Sequence, residues 1–151
     1  MIEIEDLKKQ ILLHGMEDKE YAKLASVLEY RSYKKDERLF SEGDSSEGIF
    51  MIKKGRVKIS KAIAGGRRRT IVIFRDGNYF GDLSALEKRP HSASAIALTD
   101  VEVFLLRCLE FECFMKDDLV LLLKILRKLC LIASKNLRQM NEKFLRLGES
   151  F

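Results

Sequence analysis

Between Arg31 and Arg107 the chain is interrupted too often for long helices. Ile49-Phe50-Met51-Ile52, Val57-Lys58-Ile59, Thr70-Ile71-Val72-Ile73-Phe74, Ser94-Ala95-Ile96-Ala97 and Val101-Glu102-Val103-Phe104-Leu105 are short apolar runs with strand character. Between them stand Glu42-Gly43-Asp44, Lys54-Gly55, Gly65-Gly66 and Asp76-Gly77, turn residues that tolerate positive φ. A parallel βαβ sheet would need a helix of roughly 10–15 residues between successive strands, and no such stretch separates these runs. The pattern predicts a mainly β domain, an antiparallel jelly-roll-like β-roll over residues 31–107 with helices on either side.

The flanking segments carry helical spacing. Ile4, Leu7 and Ile11 form one apolar stripe and Tyr21, Leu24, Ala25 and Leu28 another, so residues 1–30 read as two short helices broken at His14-Gly15. The segment 108–148 reads as helical, with Asp117-Asp118 suited to a helix start and Gly148 to a stop. About 30 residues at ~1.5 Å each give a rod of roughly 45 Å, whereas a compact chain of this length is roughly 38 Å across. Leu119, Leu123, Leu126, Cys130, Ala133, Leu137, Met140, Phe144 and Leu147 follow an unbroken 4-3 spacing, the pattern of a coiled-coil seam. Such a seam packs either on the chain's own roll or on a second copy. The rod outruns its domain, so the expectation is a homodimer through the C-terminal helix.

Composition removes several classes. With 46% hydrophobic and 34% charged residues the chain is neither disordered nor fibrous. No apolar run approaches the roughly 18 residues of a membrane span, and the N-terminus is acidic where a secretory signal would be basic. Cys108, Cys113 and Cys130 are too few for a disulfide scaffold and lack ligand-like spacing. The expectation is a cytoplasmic chain with reduced thiols, no metal, no cofactor and no membrane partner. No nucleophile–base arrangement can be built from sequence neighbours, so no catalytic residue and no enzyme activity are expected. Charge is unevenly spread: residues 1–50 hold 8 Lys/Arg and 12 Asp/Glu, residues 76–151 hold 11 of each, and Met51–Arg75 holds nine cations and no acid. Alternation puts the charges of Lys53–Arg75 on the outer face of a hairpin, either solvated or facing a polyanion.

The densest cluster of special residues is Asp76-Gly77-Asn78-Tyr79-Phe80-Gly81-Asp82-Leu83-Ser84-Ala85-Leu86, followed by Arg89-Pro90-His91-Ser92-Ala93-Ser94. A glycine before a helix start lets backbone N–H groups converge on an anion. In this stretch, in Leu39-Phe40-Ser41-Glu42-Gly43-Asp44 and in Ile49-Phe50-Met51-Ile52-Lys53-Lys54-Gly55-Arg56-Val57, the chain resembles the cyclic nucleotide-binding domain of catabolite activator protein and protein kinase A regulatory subunits. The resemblance implies a phosphate-binding cassette over residues 80–94 and a β-roll with a long C-terminal helix over the pocket. It further implies ligand contacts from Gly81, Asp82, Leu83, Ser84, His91 and Ser92, with Ser134 of the long helix toward the base.

Two positions depart from the family pattern. Asp82 stands where the family usually has a Glu for the ribose 2′-OH, and His91 stands where an Arg pairs with the cyclic phosphate. Arg makes two charge-assisted bonds at every pH and imidazole one, a difference of about 1.5–3 kcal/mol, or roughly 10- to 150-fold. Arg89, two residues earlier, is a second candidate cation for the pocket. Without a ligand, Asp82 would be an N-cap and His91 a partly exposed loop residue. The expectation is a stand-alone regulatory or sensor module of one domain, residues 1–151, binding cAMP or cGMP weakly. The alternative is a ligand-free module that contacts an unknown protein partner. No DNA-binding domain is expected in this chain.

Overall fold

The computed structural model describes residues 1–149. Among these residues, eight strands form two sheets in which every pairing is antiparallel. The first holds β1 (Glu29–Tyr33), β8 (Val101–Arg107), β3 (Gly48–Lys54) and β6 (Tyr79–Phe80), in that order. The second holds β2 (Arg38–Phe40), β7 (Ser94–Ala97), β4 (Val57–Ala62) and β5 (Arg68–Phe74). All five apolar runs lie within strands. The short, charge-bearing β1 and β2 have no such run, and only Leu39-Phe40 of β2 falls in a stretch that carries the family resemblance.

Side-chain alternation divides the interior into two cores. Ile49 and Met51 of β3, with Phe104 and Leu106 of β8, pack among the helices. Their neighbours Phe50, Ile52, Val103 and Leu105 face the second sheet and meet Val57, Ala95 and Ala97. The first sheet is therefore covered on both sides, and its central strands read as continuous apolar runs. Each large side chain so buried contributes about 1.5–3 kcal/mol.

Helices α1 (Ile4–Lys8), α2 (Asp18–Val27), α4 (Cys108–Asp117) and α5 (Leu119–Glu149) close the outer side of the first sheet, with a 3₁₀ turn at Ile11–Leu13. Buried Gln10 donates from Nε2 to the Ile52 carbonyl at 2.9 Å, and Tyr21 Oη donates to the Leu13 carbonyl at 2.7 Å. Buried Glu20 receives Lys124 Nζ at 2.7 Å, which ties α2 to α5. The expected helix start is present: Asp118 Oδ1 accepts the Leu121 N–H at 3.2 Å, while the Asp118 N–H donates to the Phe114 carbonyl. The expected stop is not. Helix α5 runs through Gly148 to Glu149, the last described residue, because Gly148 does not take the left-handed conformation that a C′ stop requires.

The body buries Leu121, Leu122, Ile125 and Leu129 of α5. Those four lie off the 4-3 seam. Of the seam, Leu126 is partly buried, while Leu119, Leu123, Leu137, Met140, Phe144 and Leu147 are between 57% and 78% exposed.

The approach of β3 to β8 is tightest at Gly48, where φ is +153° and a Cβ would overlap the Leu106 carbonyl oxygen. Gly48→Ala is expected to lower stability by about 3 kcal/mol, read as a drop in the urea midpoint at unchanged m-value. A loss below about 1 kcal/mol would show that the strand pair yields at this point.

Candidate functional site

The segment after β5 is folded by its own polar residues. Asn78 Oδ1 accepts the Arg75 N–H at 2.9 Å, Asp76 Oδ1 accepts the Gly55 N–H at 2.7 Å, and the Gly77 N–H donates to the Ile52 carbonyl. Strand β6 then pairs with Phe50 and Met51 of β3 and delivers Gly81 to the start of α3 (Asp82–Glu87). Gly81 has φ +81°, and a Cβ there would lie 3.3 Å from the Gly48 carbonyl and 3.7 Å from His91 Cε1. Only glycine meets both demands.

Gly81, not Asp82, occupies the N-cap position, so the N-cap reading of Asp82 is corrected. As the first helical residue, Asp82 is partly buried. Burial raises its carboxyl above the ordinary range, against the backbone N–H groups of Asp82 and Leu83, which favour the anion. Burial likewise pushes the Tyr79 phenol up to about 12, and Asp82 adds to the shift.

His91 is also not the partly exposed loop residue of the ligand-free reading. It is 4% exposed and lies flat on Phe40, ring centroids 3.5 Å apart and planes 5° from parallel. Its backbone is clamped to the Glu42-Gly43-Asp44 turn: the His91 N–H donates to the Asp44 carbonyl at 2.9 Å, and its carbonyl accepts the Gly43 N–H at 2.8 Å. Burial lowers the imidazole pKa, opposed by the charges of Asp44 and Glu47.

One cavity of about 190 Å³ gathers Gly81, Asp82, Leu83, Ser84, His91 and Ser92. Its remaining lining is apolar: Phe40, Ile59, Val72, Phe74, Phe80 and Ala93. Phe80 and Ala93 belong to the expected cassette 80–94, whereas Phe40, Ile59, Val72 and Phe74 lie outside it and were not expected at the site. The available signal was pairing, since Ile59 stands opposite Val72, and Val57 opposite Phe74, across β4 and β5. Ser134 is exposed on α5 and outside this lining. Arg89 turns away, pairing with Glu87 and lining a separate 460 Å³ groove with Lys88, Pro90 and Cys108. At about 190 Å³ the cavity is below the roughly 300–1,000 Å³ of most small-molecule sites, so a nucleotide-sized ligand would protrude from it.

Residues 30–118 match the family model described as cyclic nucleotide-binding domain. The cyclic AMP receptor protein of Thermus thermophilus is 30% identical over 127 residues, 84% of this chain and 54% of that protein. A cAMP-dependent protein kinase regulatory subunit of Aspergillus niger is 30% identical over 97 residues, 64% of this chain and 23% of that protein. The chain thus spans about half the length of the first relative and a quarter of the second. Among solved structures, a cyclic nucleotide-binding domain from Methylobacillus flagellatus superposes with TM-score 0.83 at 23% identity, covering 94% of this chain and 82% of that one.

The depressed pKa of His91 has a thermodynamic sign. The unfolded chain takes up its proton near ~6.5 and the folded chain only below that. His91 thus favours the folded state fully above ~6.5, and that contribution is lost as pH falls toward the folded-state pKa. Melting temperature is expected to drop between pH 7.5 and 5.5, and His91→Phe, which keeps a ring on Phe40, should flatten the slope. An unchanged slope in the variant would place the proton uptake elsewhere.

Proposed function

Because the chain belongs to the cyclic nucleotide-binding domain family, we propose that it is a regulatory module that takes cAMP or cGMP weakly into the cavity between α3 and His91. His91 carries this reading. It occupies the cassette position of the phosphate-binding Arg, and its burial against Phe40 disfavours the charged imidazolium. A cyclic phosphate there would meet one imidazole N–H and the Ser92 hydroxyl instead of a bidentate guanidinium. Asp82 would take the ribose 2′-OH, its shorter side chain drawing the sugar toward α3. Leu83 and Ser84 would border the sugar and phosphate, Gly81 leaving room for both. The base would lie on Ile59 and Val72. Ser134 would reach it only through closure of α5 or from the α5 of a second copy.

The same small, cation-free cavity favours a second reading, a module that has given up the ligand and keeps only contacts with a protein partner. Calorimetry with cAMP and cGMP separates the two. Under the first reading His91→Arg tightens binding by roughly 10- to 150-fold. A bound phosphate also raises the His91 pKa, so wild-type affinity is greatest below the free-protein pKa and declines as pH rises through that of the complex. Absence of binding by both wild type and His91→Arg would leave the second reading. Tight, pH-independent binding that survives His91→Ala would mean that the phosphate is held by other groups.

The assembly proposed with either reading is a homodimer through the exposed seam of α5. Leu137→Glu with Phe144→Glu would place charge in that seam, and sedimentation should then show a monomer where the unmodified chain is a dimer. An unmodified chain that sediments as a monomer at tens of micromolar (the range of weak specific association) would refute the proposal.

A further inference from the structure

The second sheet turns one face to the cavity, and register fixes which residues stand on it. Val57 lies between Phe74 and Ala97, and Ile59 between Val72 and Ala95, two rows across β5, β4 and β7. Val57, Ala95 and Ala97 are buried there, while Ile59, Val72 and Phe74 line the cavity. Lys61 is two residues beyond Ile59 on β4, so it leaves the same face, and it is paired with Arg69 of β5. Ile71, the extra residue where the register shifts, brings Arg69 rather than Thr70 to this side. The β4–β7 ladder ends at Ser60 with Ser94, and one step further Lys61 comes beside Ala93, which lines the cavity. The opposite face holds Lys58 and buried Ser60, whose Oγ accepts Arg68 Nε at 3.0 Å. Lys58 thus stands on the outer face of the hairpin as sequence alternation suggested. Lys61 and Arg69 do not: they stand on the cavity side, beyond its rim.

Like charges opposite each other on neighbouring strands are unfavourable, and this pair has no offsetting acid. Among the described residues no ion pair joins Lys61 or Arg69 to a carboxylate. Glu42 accepts the neighbouring Ala62 N–H at 3.4 Å and bridges neither. A nucleotide lying on Ile59 and Val72 outgrows a cavity of about 190 Å³, and the next row of that wall carries these two cations. Resting on the reading that the cavity takes a cyclic nucleotide, we infer that its ligand carries a second phosphate, held by Lys61 and Arg69. Along this wall the order is phosphate at His91, nucleoside on Ile59 and Val72, and phosphate at the hairpin. The ligand class is a nucleotide with phosphates on both sides of one nucleoside, as in a cyclic dinucleotide or a nucleoside 3′,5′-bisphosphate. A cyclic mononucleotide brings only its uncharged base to this row and gains no charge-assisted bond there. A second phosphate meets the fork of Arg69 and the point charge of Lys61 together.

The test is calorimetry of the intact chain with cAMP, cGMP, cyclic di-AMP, cyclic di-GMP and adenosine 3′,5′-bisphosphate. A two-phosphate ligand is expected to bind about ten-fold or more tightly than cAMP and cGMP, with the steeper salt dependence. Tightening by a cyclic dinucleotide or by the bisphosphate supports the inference, and their ranking tells which of the two supplies the second phosphate. Lys61→Gln with Arg69→Gln should abolish the advantage and leave cAMP and cGMP affinity unchanged. That variant removes a repulsion between exposed side chains, so it should melt no lower than the unmodified chain. Lys58→Gln, on the other face, should change neither affinity. Mononucleotide binding that depends on His91, with no gain for any two-phosphate ligand, would overturn the inference and leave the proposed function standing. A loss in Lys58→Gln as large as in the double variant would reduce the effect to general charge attraction and also overturn it. Failure of every ligand to bind would remove both.

Discussion

Strands β3 and β8 present no face to water, and the rest of the molecule is arranged around that requirement. One set of their side chains needs the helices, the other needs the second sheet, and a slip of one residue would exchange the two sets. Gly48 lets the strands close, and its carbonyl in turn limits what can stand at Gly81. The cassette is therefore attached to the most buried strand of the fold through β6 and Gly81. A site built this way inherits the rigidity of the core, which suits a cavity whose walls are mostly apolar.

Within that cavity the two titratable side chains are pushed in opposite directions, Asp82 upward and His91 downward. Both shifts favour the neutral form and have burial as their largest cause. The densest run of cations, nine between Met51 and Arg75 with no acid among them, lies outside the cavity on β3, β4, β5 and their turns. Charge and concavity are separated, whereas a site built for tight anion binding would unite them.

Much of the fold was legible because the apolar runs, the glycine turns and the helical spacing of the flanking segments are local signals. Strands β1 and β2 were not, since Glu29, Arg31 and Arg38 interrupt any apolar run and the pairing partners lie 55–76 residues away, in β7 and β8. Six of the seven site residues shared a cavity because they occupy two short neighbouring segments. What sequence did not convey was orientation. His91 is buried through its stack on Phe40, fifty residues earlier, and Arg89 is drawn outward by Glu87. Gly148 failed as a stop because composition names a residue that can end a helix, while the surroundings decide whether it does.

The connection between α4 and α5 is a single residue. Asp118 closes the first helix with its N–H and opens the second with its carboxylate, and Lys23 of α2 reaches across to both Asp117 and Asp118. Some 31 residues of helix extend from that point. At ~1.5 Å per residue they make a lever of roughly 46 Å, so a turn of about 10° at Asp118 would carry the far end through about 8 Å. Such a turn is resisted by Leu121, Leu122, Ile125 and Leu129, buried in the body, and by Lys124 on Glu20, so the reach of the helix at Phe144 is set by how firmly its first three turns are packed.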